Sequence, residues 1–127
     1  KEAYQKYTIA QEKGNFYANS LLADLYNKGN GVIKNQKKAL ELLEDVSSVD
    51  GIAAYKLSFY YINKKDYDEA LELLTFAANK NVKKAQYELS KIYRDGTITK
   101  DDATKARFWY EKYEDKETSL IRRIYGI

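Results

Sequence analysis

The chain has 127 residues, of which 44% are hydrophobic and 32% are charged, and this length and composition are typical of one globular domain. It contains no cysteine and no histidine, which excludes Cys/His metal sites, Ser-His-Asp and Cys-His triads and thiol redox chemistry. The net charge of +3 is too small to predict binding to nucleic acid or to a membrane surface, and no apolar run is long enough to span a bilayer.

The first segment, residues 1–14, is predicted to be a helix. The chain has no proline and its apolar residues recur at intervals of three and four, so helices are favoured throughout. Within this segment Ala3, Tyr7, Ala10 and Gly14 follow the pattern of the second helices described below. We therefore predict that residues 1–14 are the second helix of a partial repeat, and that the natural array extends further towards the N-terminus.

Residues 15–49 are predicted to form a pair of helices, which we count as repeat 1. In the first helix an alanine is followed by leucine four residues later, a small residue five later and tyrosine eight later. A small residue at that position lets a neighbouring helix approach closely. In the second helix an alanine is followed by apolar residues three, four and seven positions later. The two sets are Ala18-Leu22-Ala23-Tyr26 and Ala39-Leu42-Leu43-Val46.

Both patterns recur twice further along the chain. The first-helix pattern recurs at spacings of 35 and 32 residues, which is typical of a helical repeat, so we predict a shortened repeat 2 over residues 50–81 and repeat 3 over residues 82–115. Five aromatic residues at the pattern positions are predicted to have structural roles: Tyr26, Tyr61, Tyr93, Trp109 and Tyr110. The recurring sets are Ala53-Leu57-Ser58-Tyr61, Ala70-Leu73-Leu74-Ala77, Ala85-Leu89-Ser90-Tyr93 and Ala106-Trp109-Tyr110-Tyr113.

The loops inside the repeats carry turn and capping residues. In repeat 1, Gly29 and Gly31 can adopt a positive φ after the first helix, and Asn35 can cap the second. Repeat 2 has a shorter loop, in which Asp66 followed by Glu69 is typical of a variant capping box. The loop of repeat 3 has only one glycine, Gly96, and an aspartate cap.

The last segment, residues 116–127, is predicted to be an amphipathic helix that caps the array. Leu120, Ile121 and Ile124 form its apolar side, and Arg122 and Arg123 lie on its polar side.

Together these patterns resemble the Sel1-like repeat family, a relative of the tetratricopeptide repeats. The resemblance is strongest from Ala18 to Ala39 and in the run Lys105-Ala106-Arg107-Phe108-Trp109-Tyr110, whereas repeat 2 lacks the Gly-x-Gly-Val loop. It implies an all-α fold, a right-handed α-solenoid of antiparallel helix pairs, with a concave groove that is lined by the first helices and binds proteins or peptides. The β-lactam binding proposed for cysteine-rich members is not carried over, because this chain has no cysteine.

If the first helices line a groove, the exposed positions of each helix are counted from its leading alanine. They lie one residue before that alanine and two, six and nine or ten residues after it. The candidate partner-binding residues at these positions are Tyr17, Asp24, Asn27, Tyr55, Phe59, Ile62, Tyr87, Lys91 and Arg94; the remaining equivalent positions hold Ser20, Ile52 and Lys84. The aromatic set of repeat 2 is typical of a protein interface. The alternative is that Tyr55, Phe59 and Tyr87 pack between adjacent helices.

The sequence favours a non-enzymatic interaction module that binds a partner protein or peptide in the groove. Its role would be that of an adaptor, a regulator, or a toxin-neutralising or effector-linked protein. No catalytic, cofactor-binding or metal-binding residue is predicted, nor binding of nucleic acid or insertion into a membrane. The basic pairs Lys37-Lys38, Lys64-Lys65 and Lys83-Lys84 are interpreted as solvated helix faces.

Two other functions stay open at this point. One is an exported cell-wall or small-molecule-binding protein with hydrolase activity, and the other is a structural spacer in a longer chain. The chain does not begin with methionine, which removal of a signal peptide and the choice of the cloned segment explain equally well. We favour export in a bacterium, with the cytoplasm as the alternative location.

Overall fold

The computed structural model describes residues 1–114 and Ile124, and the described residues are largely helical. Residues 1–114 contain no strand, which confirms the predicted all-α class. The predicted capping helix over residues 116–127 lies outside the described residues, apart from Ile124. The helices are α1 (Glu2–Glu12), α2 (Tyr17–Lys28), α3 (Gln36–Val46), α4 (Gly51–Asn63), α5 (Tyr67–Asn79), α6 (Lys83–Asp95) and α7 (Ala103–Glu114).

Each helix packs against the next one along the chain, and this order builds the array. The most extensive contacts are within the pairs α2 and α3, α4 and α5, and α6 and α7, which are the first and second helices of the three predicted repeats. In addition α2 contacts α4, so the first helices of two adjacent repeats meet directly. Helix α1 packs on α2; its assignment to a partial repeat stays a prediction.

The hydrophobic core lies between the helices, where the pattern residues meet. The leading alanines of all three first helices are buried, and so are the pattern leucines Leu22, Leu57 and Leu89. The small residues beside these leucines are buried too, and the hydroxyls of Ser58 and Ser90 donate hydrogen bonds to the backbone carbonyls of Tyr55 and Tyr87. These serines therefore need no partner on the neighbouring helix, which leaves it free to pack closely.

The large aromatic residues of the patterns are not all part of this core. Trp109 is buried, and Tyr26, Tyr61 and Tyr93 are half-buried against the core, as their predicted structural roles require. Tyr110 differs from that prediction because its ring is exposed, with its centroid 6.0 Å from that of Tyr113. It lies on α7, whose outer side is covered by no helix in the described part of the chain.

Side-chain caps start the second helices where the sequence predicts them. The Asn35 side chain accepts a hydrogen bond from the Lys38 amide at 3.0 Å, and Asp66 accepts one from the Glu69 amide at 3.5 Å. In repeat 3, Asp102 caps α7 in the same way. These bonds satisfy amide groups of the first helical turn, which have no partner within the helix.

The first helices end in different ways. Helix α2 ends at Gly29 with φ +68°, and α6 ends at Gly96 with φ +66°, so both glycines use the left-handed region that the sequence predicts. Helix α4 has no glycine at its end, and Lys65 takes the left-handed conformation with φ +64°. Residues other than glycine are strained in this conformation, so the short loop of repeat 2 has backbone strain at Lys65.

Candidate functional site

Helices α2, α4 and α6 form one side of the array, which we call the first-helix layer. The Lys56 ammonium of α4 lies 2.7 Å from Asp24 Oδ2 of α2, and also donates to the Ser20 carbonyl at 3.4 Å. The charges of Glu88 and Lys91 on α6 affect the pKa of the Tyr55 hydroxyl on α4. Residues of all three helices line one cleft, described below, so the layer is continuous where these helices begin.

Two aromatic residues of α4 form the centre of this surface. The rings of Tyr55 and Phe59 meet edge to face, with centroids 5.0 Å apart and planes at 84°. Phe59 is 39% exposed, whereas Tyr55 is half-buried against the core. Burial raises the pKa of the Tyr55 hydroxyl and so does the charge of Glu88, while Lys91 lowers it. Phe59 therefore stands at the surface, and Tyr55 packs partly between helices.

The third aromatic candidate, Tyr87, belongs to a cluster on α6 and α7. Its ring is 38% exposed and lies 4.9 Å from the ring of Tyr113. The Lys91 ammonium is 5.0 Å from the centroid of the Tyr87 ring and 3.3 Å from Glu88 Oε1. A cation over an aromatic face holds both groups in place at the surface.

Two candidates of repeat 1 lie beside α4. Tyr17 is 56% exposed, and its ring centroid is 4.5 Å from that of Phe16. Asp24 is already bound to Lys56, so its carboxylate links two first helices. Its role in the layer is therefore at least partly structural.

Three other candidates lie apart from the aromatic centre. Asn27 lines a separate cleft of about 520 Å³ between α2, α3 and the end of α4. Ile62 is half-buried against the core, and the Arg94 guanidinium is bonded to Asp95 of the same helix, 2.9 Å from its carboxylate. On α4 Tyr55 pairs with Phe59, and on α6 Tyr87 pairs with Lys91, whereas these three residues belong to neither pair.

The prediction that Ser20 is exposed is wrong. Its side chain is 3% exposed, and its Oγ donates a hydrogen bond to Asp50 Oδ2 at 3.1 Å. Asp50 is itself only 1% exposed and caps α4 by accepting from the Ile52 amide at 2.9 Å. The start of α4 therefore covers Ser20, whereas Ile52 stays exposed as predicted.

A cleft of about 720 Å³ opens where α2, α4 and α6 begin. Its walls include Tyr17, Ile52, Tyr55 and Val82, and we call it the N-terminal cleft. The turn between α5 and α6 closes one side, and it passes so near Gly51 that a Cβ there would lie 2.8 Å from the Lys80 Cβ. The cleft is continuous with the first-helix layer, because Tyr55 belongs to both.

The chain matches the Sel1 repeat family model over residues 16–44, 51–82 and 83–112. The chain belongs to the Sel1 repeat family. The match includes repeat 2, although that repeat lacks the glycine loop, because its helices keep the alanine and leucine pattern. The predicted family is thereby confirmed.

Solved structures of Sel1 repeat proteins have the same fold. A Sel1 repeat protein from Oxalobacter formigenes has 28% identity and a TM-score of 0.82; the match covers 91% of this chain and 49% of that protein. A protective antigen of uropathogenic Escherichia coli strains, which displays an SLR fold, has 30% identity and a TM-score of 0.71 over 87% of this chain and 25% of that protein. These similarities confirm the α-solenoid, and both neighbours are bacterial. No curated protein matches the chain at a significant level.

Membership of the Sel1 repeat family defines a general role. Sel1 repeat proteins generally mediate protein–protein interactions, and their fold is generally a non-catalytic scaffold. Within the described residues there is no group of three or more acidic side chains arranged to hold a metal ion. No helix in the same part of the chain is long and apolar enough to cross a membrane.

Sequence reasoning missed part of the surface of this Sel1 repeat chain. Lys80 and Val82 line the N-terminal cleft with Lys84, although the sequence analysis placed only Lys84 near a groove. The Lys83-Lys84 pair at the start of α6 was a usable signal, but it was interpreted as a solvated face. The turn that brings Lys80 next to α4 has no signature of its own in the sequence.

Proposed function

We propose that this chain binds a partner protein through the first-helix layer, with Tyr55, Phe59, Tyr87 and Lys91 at the centre of the contact surface. The general role of Sel1 repeat proteins supports the class of function. The specific role that we propose is that of an adaptor or regulator, including neutralisation of a toxin or linkage to an effector. In such a role the chain would hold its partner without changing it chemically.

The exposure of aromatic rings on one side of the array carries this proposal. Phe59 and Tyr87 keep more than a third of their surface open to solvent, and Tyr17 more than half. Large aromatic side chains that are held rigid in the free protein contribute strongly to interfaces, because little conformational entropy is lost on binding. The Tyr55 ring holds Phe59 in this way, and Tyr113 with Lys91 holds Tyr87.

The composition supports a role without catalysis. The chain has no histidine and no cysteine, so the common general bases and nucleophiles of hydrolases are missing. The partner-binding surface is also open rather than enclosed, and it holds charges of both signs in Asp24, Lys56, Glu88 and Lys91. An open surface with charges of both signs can recognise another protein by charge complementarity. It does not exclude water, as most active sites must.

The test compares two variants in an affinity capture from the lysate of the organism that makes the protein. The first, Phe59→Ala/Tyr87→Ala, removes the two most exposed rings at the centre but spares Tyr55, which contacts the core. The matched control, Tyr67→Ala/Phe108→Ala, removes two rings of similar exposure from the second helices. Circular dichroism melting checks that both variants are folded.

We expect a stoichiometric partner to bind the wild type and the control, and to be lost from Phe59→Ala/Tyr87→Ala. Loss of about 2 kcal/mol of binding free energy per central aromatic residue would lower the affinity more than a hundredfold. Retention of the partner by that variant, or equal loss from the control, would contradict the proposal.

A further inference from the structure

The N-terminal cleft combines an apolar interior with a basic rim. Tyr17, Ile52 and Val82 form apolar walls around a volume of about 720 Å³. This is within the range of sites that enclose a bulky side chain or a small ligand. Tyr17 and Ile52 are both exposed, so the walls are open to an incoming group.

The charges around the cleft are predominantly positive. Four lysines and a single carboxylate, that of Asp50, line it. Asp50 is 1% exposed, and its carboxylate already accepts hydrogen bonds from Ser20 and from the Ile52 amide. Lys56 is neutralised by Asp24.

Two of the four lysines keep their charge available at the rim. Lys83 donates a hydrogen bond to the Lys112 carbonyl at 2.8 Å, which ties it to α7. Lys80 and Lys84 are exposed, and within residues 1–114 no carboxylate lies within salt-bridge distance of either ammonium. The rim thus presents two unneutralised positive charges beside an apolar cavity, and the starts of α2 and α6 add to the same positive potential.

We propose that the N-terminal cleft binds an acidic segment of the partner protein. One aromatic or large aliphatic side chain of the segment fills the space between Tyr17, Ile52 and Val82, and flanking Asp or Glu side chains meet Lys80 and Lys84. This inference rests on the proposed function, because it assigns the partner's chemistry at one end of the first-helix layer. It follows from charge complementarity, since an anionic group gains attraction at the rim without breaking an existing ion pair.

A protein segment fits these observations better than a nucleic acid does. Beyond the cleft, the charges of the layer are paired, Asp24 with Lys56 and Glu88 with Lys91. The layer therefore offers no continuous positive track for a phosphate backbone. A segment with a few acidic residues and one apolar anchor needs only the two charges at the rim of the cleft.

The experiment measures fluorescence anisotropy of a labelled peptide of roughly ten residues with tryptophan at its centre and glutamate around it. A second peptide has glutamine in place of every glutamate, and an oligouridylate of similar length is the nucleic-acid probe. The cleft variant is Lys80→Glu/Lys84→Glu. The matched control is Lys28→Glu/Lys37→Glu. Lys28 is the last residue of α2 and Lys80 directly follows the last residue of α5, while Lys37 and Lys84 are each the second residue of a helix.

We expect the glutamate peptide to bind the wild type about fivefold or more tightly than the glutamine peptide, with the advantage falling as salt is raised. Lys80→Glu/Lys84→Glu should abolish this advantage, and the control should keep it. Equal binding of both peptides, or equal effects of both variants, would overturn the inference. Tighter binding of the oligouridylate through Lys80 and Lys84 would also overturn it.

The inference and the proposed function fail in different ways. Phe59 and Tyr87 do not line the cleft, so the aromatic variant and the lysine variant change different parts of the surface. A partner that is lost from Phe59→Ala/Tyr87→Ala but retained by Lys80→Glu/Lys84→Glu would overturn the inference and leave the proposed function standing. The opposite result is also possible: the peptide binds in a charge-dependent way, and Phe59→Ala/Tyr87→Ala captures the partner as well as the wild type does. That result would overturn the proposed function and leave the peptide site in the cleft standing.

Discussion

The ammonium of Lys56 lies 2.7 Å from Asp24 Oδ2, and this salt bridge joins the first helices of two adjacent repeats. The two residues are 32 positions apart, so their contact depends on how repeat 1 packs against repeat 2. Both side chains are partly exposed, which limits what the pair contributes to stability.

Breaking this salt bridge should lower stability by a small and salt-dependent amount. In a double-mutant cycle with Asp24→Asn and Lys56→Met, we expect a coupling free energy of about 0.5 kcal/mol at low ionic strength. Urea denaturation of the four proteins measures it, and 1 M NaCl should reduce it because salt screens exposed charges. A coupling that is absent at low salt, or unchanged at high salt, would contradict this prediction.

Replacing Asp50 should be much more damaging than replacing an exposed cap. Asp50→Ala removes a buried side chain that accepts from both Ser20 and the Ile52 amide, and leaves both donors without a partner. We expect a loss of about 2–3 kcal/mol in the free energy of unfolding. Asn35→Ala, which removes an exposed cap of α3, is the matched control and should lose about 1 kcal/mol. If urea denaturation shows equal losses of unfolding free energy for the two variants, the buried hydrogen bond between Ser20 and Asp50 adds nothing to the capping of α4.

Relieving the strained end of α4 should stabilise the protein. Lys65 has φ +64°, a conformation that glycine adopts without strain. We expect Lys65→Gly to raise the free energy of unfolding by about 0.5–1 kcal/mol, measured by thermal and urea denaturation. Asn81 has φ +65° but asparagine tolerates this region, so Asn81→Gly should give a smaller gain. A lower melting temperature for Lys65→Gly than for the wild type would contradict the prediction that Lys65 is strained.

Stability should fall in alkaline solution partly because of Tyr55. Burial raises the pKa of its hydroxyl, so the folded protein holds this proton to higher pH than the unfolded chain, whose tyrosines titrate near about 10. The contribution is fully present below that pH and is lost as pH rises through the folded-state pKa. Tyr55→Phe should therefore flatten the fall in unfolding free energy above about pH 10. Urea denaturation of the wild type and the variant from about pH 8 to 11 measures this, and identical pH dependence of the two proteins would contradict the prediction.

The helices, their caps and the family could be predicted from the sequence because they depend on neighbours within one or two turns. Asn35 and Asp66 cap amides three residues ahead, and the spacing of alanine, leucine and tyrosine recurs in each repeat. The exposure of Phe59 and Tyr87 also agrees with the predicted positions, since one face of each first helix is set by its own periodicity. Their role in binding a partner remains a prediction.

Contacts between repeats could not be predicted in this way. Ser20 was expected at the surface, but Asp50 and the start of α4 cover it from 30 residues away. Asp24 occupies a predicted contact position, yet Lys56 of the next repeat already binds it. The angle at which one repeat packs on the next decides which of these residues become buried or paired. Helical periodicity within one repeat does not predict that angle.

The sequence by itself determined that this chain is a helical repeat protein, with three helix pairs and an aromatic set on the first helix of repeat 2, because short-range spacing decides helix, cap and buried face. Only the tertiary structure decided that Lys80, Val82 and Lys84 meet Tyr17 and Ile52 in one cleft. These residues come from three repeats, and the packing of the α5–α6 turn against Gly51 is what brings them together.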